Sequence, residues 1–153
     1  IRFASEDIGL ADPQALALAL QAKEAYDFLG SPEGELALAE AVVYLASAPK
    51  SNRVYVAFGQ AMKEVEESPF EPVPLHIRNA VTPLMKEIGY GEDYQYAHDS
   101  PLSTTDMETF PERLKGKKYY HPGNLGFEKE IKKRIDWWEA LKEKIRKGKA
   151  SEE

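Results

Sequence analysis

The stretch 31–58, SPEGELALAEAVVYLASAPKSNRVYVAF, decides how the chain folds. Ser31 and Pro32 read as a cap and a first helical residue, and Pro49 prevents continuation, so a helix is expected between them. From Leu36 to Ala46 its only polar side-chain groups are the Glu40 carboxylate and the Tyr44 hydroxyl. A helix apolar on nearly all sides needs cover on nearly all sides. In a chain of this size it is either the central helix or a helix shared with another subunit. The stretch then turns at Lys50-Ser51, a pair that also ends a phosphate-binding loop. That loop needs glycine six residues before the lysine, glycine immediately before it, and a strand leading in. Tyr44 and Pro49 hold those places, and the lead-in is helical. Pro49 has no amide to offer a phosphate. The pair reads instead as a helix–helix turn capped by Ser51 or Asn52, with weak anion attraction at the helix start as the remaining alternative.

Working outward, ADPQALALALQAKEAYDFLG (11–30) carries Asp12 as a cap, Pro13 at the first helical position and Gly30 as a stop. Ala15, Leu18, Ala22, Tyr26 and Leu29 form its expected stripe. The opening IRFASEDIGL reads as the last turns of a helix ending near Gly9, so the chain is expected to be a fragment of a longer protein. A third helix is expected from about Ser51 to Glu67, with Val54, Phe58, Ala61 and Val65 buried. The prolines of SPFEPVPLH force an extended connector. TPLMKEIG then reads as a short helix with Thr82 as cap, Pro83 first and Gly89 as stop. From Tyr90 to Pro122 the helical pattern fails. This Tyr-, Pro- and Gly-rich segment is expected to be an ordered, aromatic-pinned excursion, with room for one short strand pair at 94–96 and 118–120. A long helix, about Leu125 to Lys147, closes the domain. Its expected stripe is Phe127, Ile131, Ile135, Trp138, Leu141 and Ile145, with Glu128–Lys132 and Glu130–Arg134 pairs on the outer face. The expectation is one helical domain over 1–150 and a frayed tail at 151–153.

Composition narrows the function classes. With 153 residues, 42% hydrophobic and 30% charged, the chain suits one soluble domain. There is no cysteine, which removes disulfides, thiolate zinc sites and a Cys nucleophile. The net charge of −6 argues against sequence-blind nucleic-acid binding by the whole surface. No apolar run approaches membrane-spanning length.

Three groups of residues invite chemistry. His98-Asp99, with His76 and His121, would suit a metal phosphohydrolase only if the ligands converged on one point. The plain reading of Asp99 before Ser100-Pro101 is a turn starter. Glu6-Asp7 are neighbours and do not face each other on a helix, so a cap or a tie to a basic group fits better than an acid/base pair. Basic residues cluster late, at Lys115, Lys117, Lys118, Lys129, Lys132, Lys133, Arg134, Lys142, Lys144, Arg146, Lys147 and Lys149. A solvated, salt-bridged face is the favoured reading. The alternative is a DNA contact through Lys132, Lys133, Arg134, Lys144, Arg146 and Lys147. Tyr119 and Tyr120 beside them would stack on bases or, more simply, pin the excursion to the helical body.

The segments ASEDIGLADPQAL, GSPEGELALAEAVVYLASAPKSN, VPLHIRNA, LMKEIGYGEDYQYAHD and KYYHPGNLGFEKEI occur in an order that resembles the C-terminal region of the replication-associated recombination ATPases, called RarA or MgsA in bacteria. Their eukaryotic relative is the Werner-helicase-interacting ATPase. The resemblance runs from about Ala4 to Ile135. Asp7, Asp12, Pro13, Lys50, Ser51 and Asn52 match its motif positions, where capping and turn-fixing are their physical roles. It implies an all-α bundle of about five or more helices similar to the clamp-loader collar. It also implies a clamp-loader-like AAA+ ATPase acting at stalled forks, with ATP and Mg held by a domain outside this chain and no catalytic, cofactor or metal residue here. The implied partners are sister subunits in a homotetramer, DNA at forks or gaps, and single-strand-binding protein, in a bacterial cytoplasm close to the nucleoid. Leu36, Leu38, Val42, Val43 and Leu45 are the expected subunit contact.

Overall fold

The computed structural model describes residues 1–68, 70–100 and 103–149. The tail expected at 151–153 lies outside them, as do Pro69 of the connector and Pro101 of the turn after Asp99. Among the described residues the fold is all-α, with no strand. Five α-helices occur: α1 Gln14–Leu29, α2 Glu35–Ser47, α3 Arg53–Glu67, α4 Pro83–Glu87 and α5 Glu128–Lys149. They belong to two compact units, 1–66 with 119–135 and 67–118 with 136–153.

In the first unit the chain enters through a π-turn, Ala4–Ile8, and a 3-10 turn, Gly9–Ala11. The entry therefore runs past Gly9, the expected end, to Ala11. Asp12 then starts α1 as predicted: its Oδ1 accepts the Gln14 N–H at 3.1 Å, and its Oδ2 accepts the Tyr44 hydroxyl at 2.7 Å. One carboxylate thus opens α1 and ties it to α2. Gly30 closes α1 at φ 71°, its N–H donating to the Tyr26 carbonyl at 2.8 Å. Ser31 does not cap α2. Its hydroxyl donates to the Glu35 carboxylate at 2.6 Å, and α2 begins at Glu35.

The core of this unit is made largely of methyl groups. Ala4, Ile8, Ala15 and Ala19 form it, with Tyr44, Leu45 and Ala48 packed against it. Small side chains let α1 and α2 approach closely. The cost is that the larger residues stay outside. On α1 the buried positions are Ala15, Ala19 and Ala22, while Leu29 and Tyr26 of the expected stripe are exposed. On α3 only Ala57 is buried. The expected stripe of Val54, Phe58, Ala61 and Val65 is not covered: Phe58 is 66% and Val65 69% exposed. Periodicity reports that a face is apolar, not which body covers it.

Apart from α4 and the later part of α5, the second unit is short turns held by side chains. Thr82 Oγ1 accepts the Met85 N–H at 3.3 Å and caps α4 as predicted; Gly89, at φ 93°, stops it. Arg78 donates to the Val73 carbonyl at 2.6 Å and to the Tyr90 hydroxyl at 3.1 Å, with its guanidinium 5.1 Å from the Tyr90 ring. His76 donates to the Glu108 carbonyl at 2.6 Å. The strand pair expected at 94–96 and 118–120 does not form. A turn with Gly91 and Asp93 at positive φ precedes Tyr94, and the 3-10 turn Ala97–Asp99 follows Tyr96 at once, so no run of extended chain is long enough to pair.

Candidate functional site

A cleft of about 540 Å³ in the first unit is lined by Phe3, Asp7, Lys50, Asn52, Arg53 and Asn124, among others, with Glu128 in its wall. Glu128 is fully buried. A buried carboxylate is tolerated only when donors satisfy it. Here three do. Tyr120 donates to Oε1 at 2.9 Å, and the Ser51 hydroxyl and the Gly123 N–H each donate to Oε2 at 2.8 Å. The Ser51 N–H also donates to the Asp7 carbonyl at 2.7 Å, and its oxygen accepts the Arg53 N–H at 3.3 Å at the start of α3. One turn therefore joins the entry segment, α3, the 120–123 loop and the first residue of α5.

Lys50 works on the other side of the same turn. Its Nζ donates to the Leu45 carbonyl at 2.8 Å and also to those of Ala46 and Ala48, closing the last turn of α2, and sits 5.4 Å from the Phe3 ring centre. A lysine bound to three carbonyls and a serine bound to a buried carboxylate do not fit a nucleotide phosphate, because both side chains are already engaged by acceptors within the chain. The arrangement is a clasp. A general base needs an acceptor lone pair open to substrate, and Glu128 is enclosed by its three donors.

Two glycines make the clasp possible. Gly126 has φ 52°, and a Cβ there would lie 2.0 Å from the Ala11 carbonyl oxygen. This close approach lets the Phe127 N–H donate to the same oxygen at 2.8 Å. A Cβ on Gly123 would meet Glu128 Oε2 at 2.5 Å.

Burial, then the hydrogen bond to Glu128, push the Tyr120 phenol well above its ordinary value of 10.0, and a bond to Asp12 raises that of Tyr44. Both hydroxyls hold their protons more tightly when folded. Their contribution is complete below about pH 10 and is lost as pH rises beyond it, where the unfolded phenols ionise first. The thermal midpoint is expected to fall above pH 10, and Tyr120→Phe to show a shallower fall, by about one proton. An identical alkaline slope in the Phe variant would show that the phenol does not report on the clasp.

With the Ser51 turn described, comparison with known proteins decides the family. A family profile described as "MgsA AAA+ ATPase C terminal" matches residues 1–139. The chain belongs to this family. It is 52% identical over 144 residues, 94% of its length, to "Replication-associated recombination protein A" of Coxiella burnetii, covering 33% of that protein. It is 46% identical over 90% of its length to the protein of the same name in Escherichia coli K12, covering 31% of it. It is 44% identical over 78% of its length to "ATPase WRNIP1" of Dictyostelium discoideum, covering 14% of it. The chain thus spans about a third of the first two relatives and less of the last.

In this MgsA C-terminal chain the motif residues Asp7, Lys50, Ser51 and Asn52 come together at the clasp. Asp12 and Pro13 stand apart from it, at the start of α1. Of the expected contact residues, Leu36, Leu38, Val42 and Val43 are exposed and Leu45 packs on the core. The expected Glu128–Lys132 and Glu130–Arg134 pairs do not form. Lys132 donates to Asn124 Oδ1 at 3.2 Å, Lys133 pairs with Glu130 at 2.8 Å, and Arg134 sits 5.6 Å from the Phe127 ring centre. Arg146 donates to the Asp106 carbonyl at 3.4 Å, and Lys147 pairs with Glu143 at 2.6 Å. Lys144 has no ion pair among the described residues. No group of three His, Asp or Glu among them is placed to hold a metal; the His98 ring lies 5.1 Å from that of Tyr96. No described helix is long and apolar enough to cross a membrane.

Sequence reading placed Tyr120 as a pin to the helical body, which its bond to Glu128 makes it, but missed Glu128, Gly123 and Gly126 as the group around it. The available signal was HPGNLGFEKE, two glycines just ahead of a helix that begins with a carboxylate. Glycine at such spacing marks close backbone approach.

Proposed function

We propose that this chain is the assembly domain of a clamp-loader-like, DNA-dependent AAA+ ATPase acting at stalled replication forks. It joins copies into a homotetramer and carries no catalytic group. ATP and Mg belong to the rest of the protein, and fork DNA and single-strand-binding protein are its partners near the bacterial nucleoid. The names of its relatives support the setting. The observation that carries the assembly role is the bare apolar surface of the first unit. On α2, Leu36, Val42 and Val43 are 66–69% exposed, and α3 adds Phe58 and Val65.

Apolar surface of this kind gains about 25 cal/mol per Å² when covered, and an obligate interface of roughly 2,000 Å² or more is typical. A charge placed in that patch must be desolvated on assembly, which costs several kcal/mol. Light scattering across a dilution series is expected to give about four times the 17.2 kDa chain mass for the wild type. A Val42→Glu/Val43→Glu variant is expected to fall to one chain with its helix content intact. A wild-type chain that stays monomeric at micromolar concentration sinks the reading.

A further inference from the structure

We propose that Ser51 is a positioning residue for assembly: bonded to Glu128, its hydroxyl aims the bare face of α3 at a second copy of the chain. The inference rests on the assembly reading. α1 packs against α2, whereas α3 makes no comparable contact with α1, α2 or α5 among the described residues. Ala57 is the one described residue of α3 that is buried. Val54, Tyr55, Phe58, Met62 and Val65 are all exposed. The direction of α3 is therefore set at its first turn. There the Ser51 oxygen does two things at once: it accepts the Arg53 N–H at 3.3 Å, and its hydroxyl donates to Glu128 Oε2 at 2.8 Å. The Ser51 N–H holds the same turn to the entry segment, through the Asp7 carbonyl at 2.7 Å.

The leverage is large. Val65 lies about 18 Å along the helix axis from Arg53. A tilt of about 10° at the turn would move it by about 3 Å, and a packed apolar contact does not absorb a shift of that size. α2 differs, because it is seated on α1. Its bare face keeps its place without Ser51. Losing the Ser51 bond thus loosens the α3 face and leaves the α2 face where it was.

Energy transfer between labelled copies, followed across a dilution series, gives the dissociation constant of assembly. Exchange between differently labelled assemblies reads the same contact where it is too tight to dilute apart. Ser51→Ala is expected to weaken assembly about tenfold, the worth of one hydrogen bond to a charged group. Ser51→Thr keeps the hydroxyl and is expected to stay within about twofold of wild type. Tyr44→Phe loses a hydroxyl–carboxylate bond of the same kind, to Asp12 at 2.7 Å, without touching the turn before α3. It is also expected to stay within about twofold, whereas a general loss of stability would weaken assembly in both variants alike. Circular dichroism checks that each variant is folded. Glu128→Gln offers Ser51 a neutral, weaker acceptor; it is expected to cost about threefold and carries the test if Ser51→Ala does not fold. Wild-type assembly by Ser51→Ala, or by Glu128→Gln in its stead, overturns the inference alone. So does equal weakening by Ser51→Ala and Tyr44→Phe, or by Ser51→Ala and Ser51→Thr. A wild type that stays monomeric sinks the assembly reading and the inference with it.

Discussion

Glu128→Ala is expected to destabilise the first unit by about 3–5 kcal/mol, while Glu128→Gln costs about 1. The difference follows from the donors. Alanine leaves the Tyr120 hydroxyl, the Ser51 hydroxyl and the Gly123 N–H facing an apolar gap, and each unpaired buried donor costs about 1–3 kcal/mol. Solvent entering the gap recovers part of this. Glutamine keeps an oxygen at the position that accepts Ser51 and Gly123. Its amide then faces Tyr120, whose hydroxyl can rotate and accept instead of donate. Urea unfolding at fixed protein concentration measures both values. Equal losses for Ala and Gln would mean that the charge, not the acceptor geometry, holds the clasp. A loss under 1 kcal/mol for Ala would remove the clasp from the account of stability.

Gly126→Ala is expected to cost a similar amount, about 4 kcal/mol, although it adds one methyl group. Roughly 1–2 kcal/mol comes from placing a side chain at left-handed φ. The rest comes from the Ala11 carbonyl, which the new Cβ would meet at 2.0 Å, and from the Phe127–Ala11 hydrogen bond that must break to relieve it. Backbone on both sides leaves little room for relaxation. Gly30→Ala supplies the contrast. Gly30 also has positive φ, but nothing lies within 4 Å of its Cβ position, so only the conformational cost of about 1 kcal/mol applies. Parallel denaturation of the two variants checks the pair. If they lose the same stability, the close approach at Ala11 is not a constraint.

These two sites also mark what could be read in the sequence. Asp12, Thr82, Gly30 and Gly89 were legible because each acts within a few residues of itself. A cap or a stop is a local event, and the structure puts these four where local chemistry demands. Glu128 was read as a water-facing partner of Lys132 because helical spacing brings those two together. What captures it instead is a donor group that includes Ser51, 77 positions away, and no periodicity carries that information. The α3 stripe failed in another way. Its apolar spacing was real, but within one chain the face is bare. The short strand pair failed because three tyrosine-rich residues bounded by tight turns are too few to build a ladder. Candidate site residues divided along the same line. Lys50 and Ser51 were recognised as turn-formers from the missing glycines, whereas the acceptor that gives the turn its role lay beyond local reading.

The first unit takes its two portions from either side of residues 67–118, a stretch of 52 residues. During synthesis, α1, α2 and α3 emerge long before the acceptor for Ser51 exists. The ribosome must complete the entire stretch and the loop after it before the latch can shut. Any nascent or truncated chain ending before residue 128 therefore displays its apolar helices with the turn beneath them unlocked.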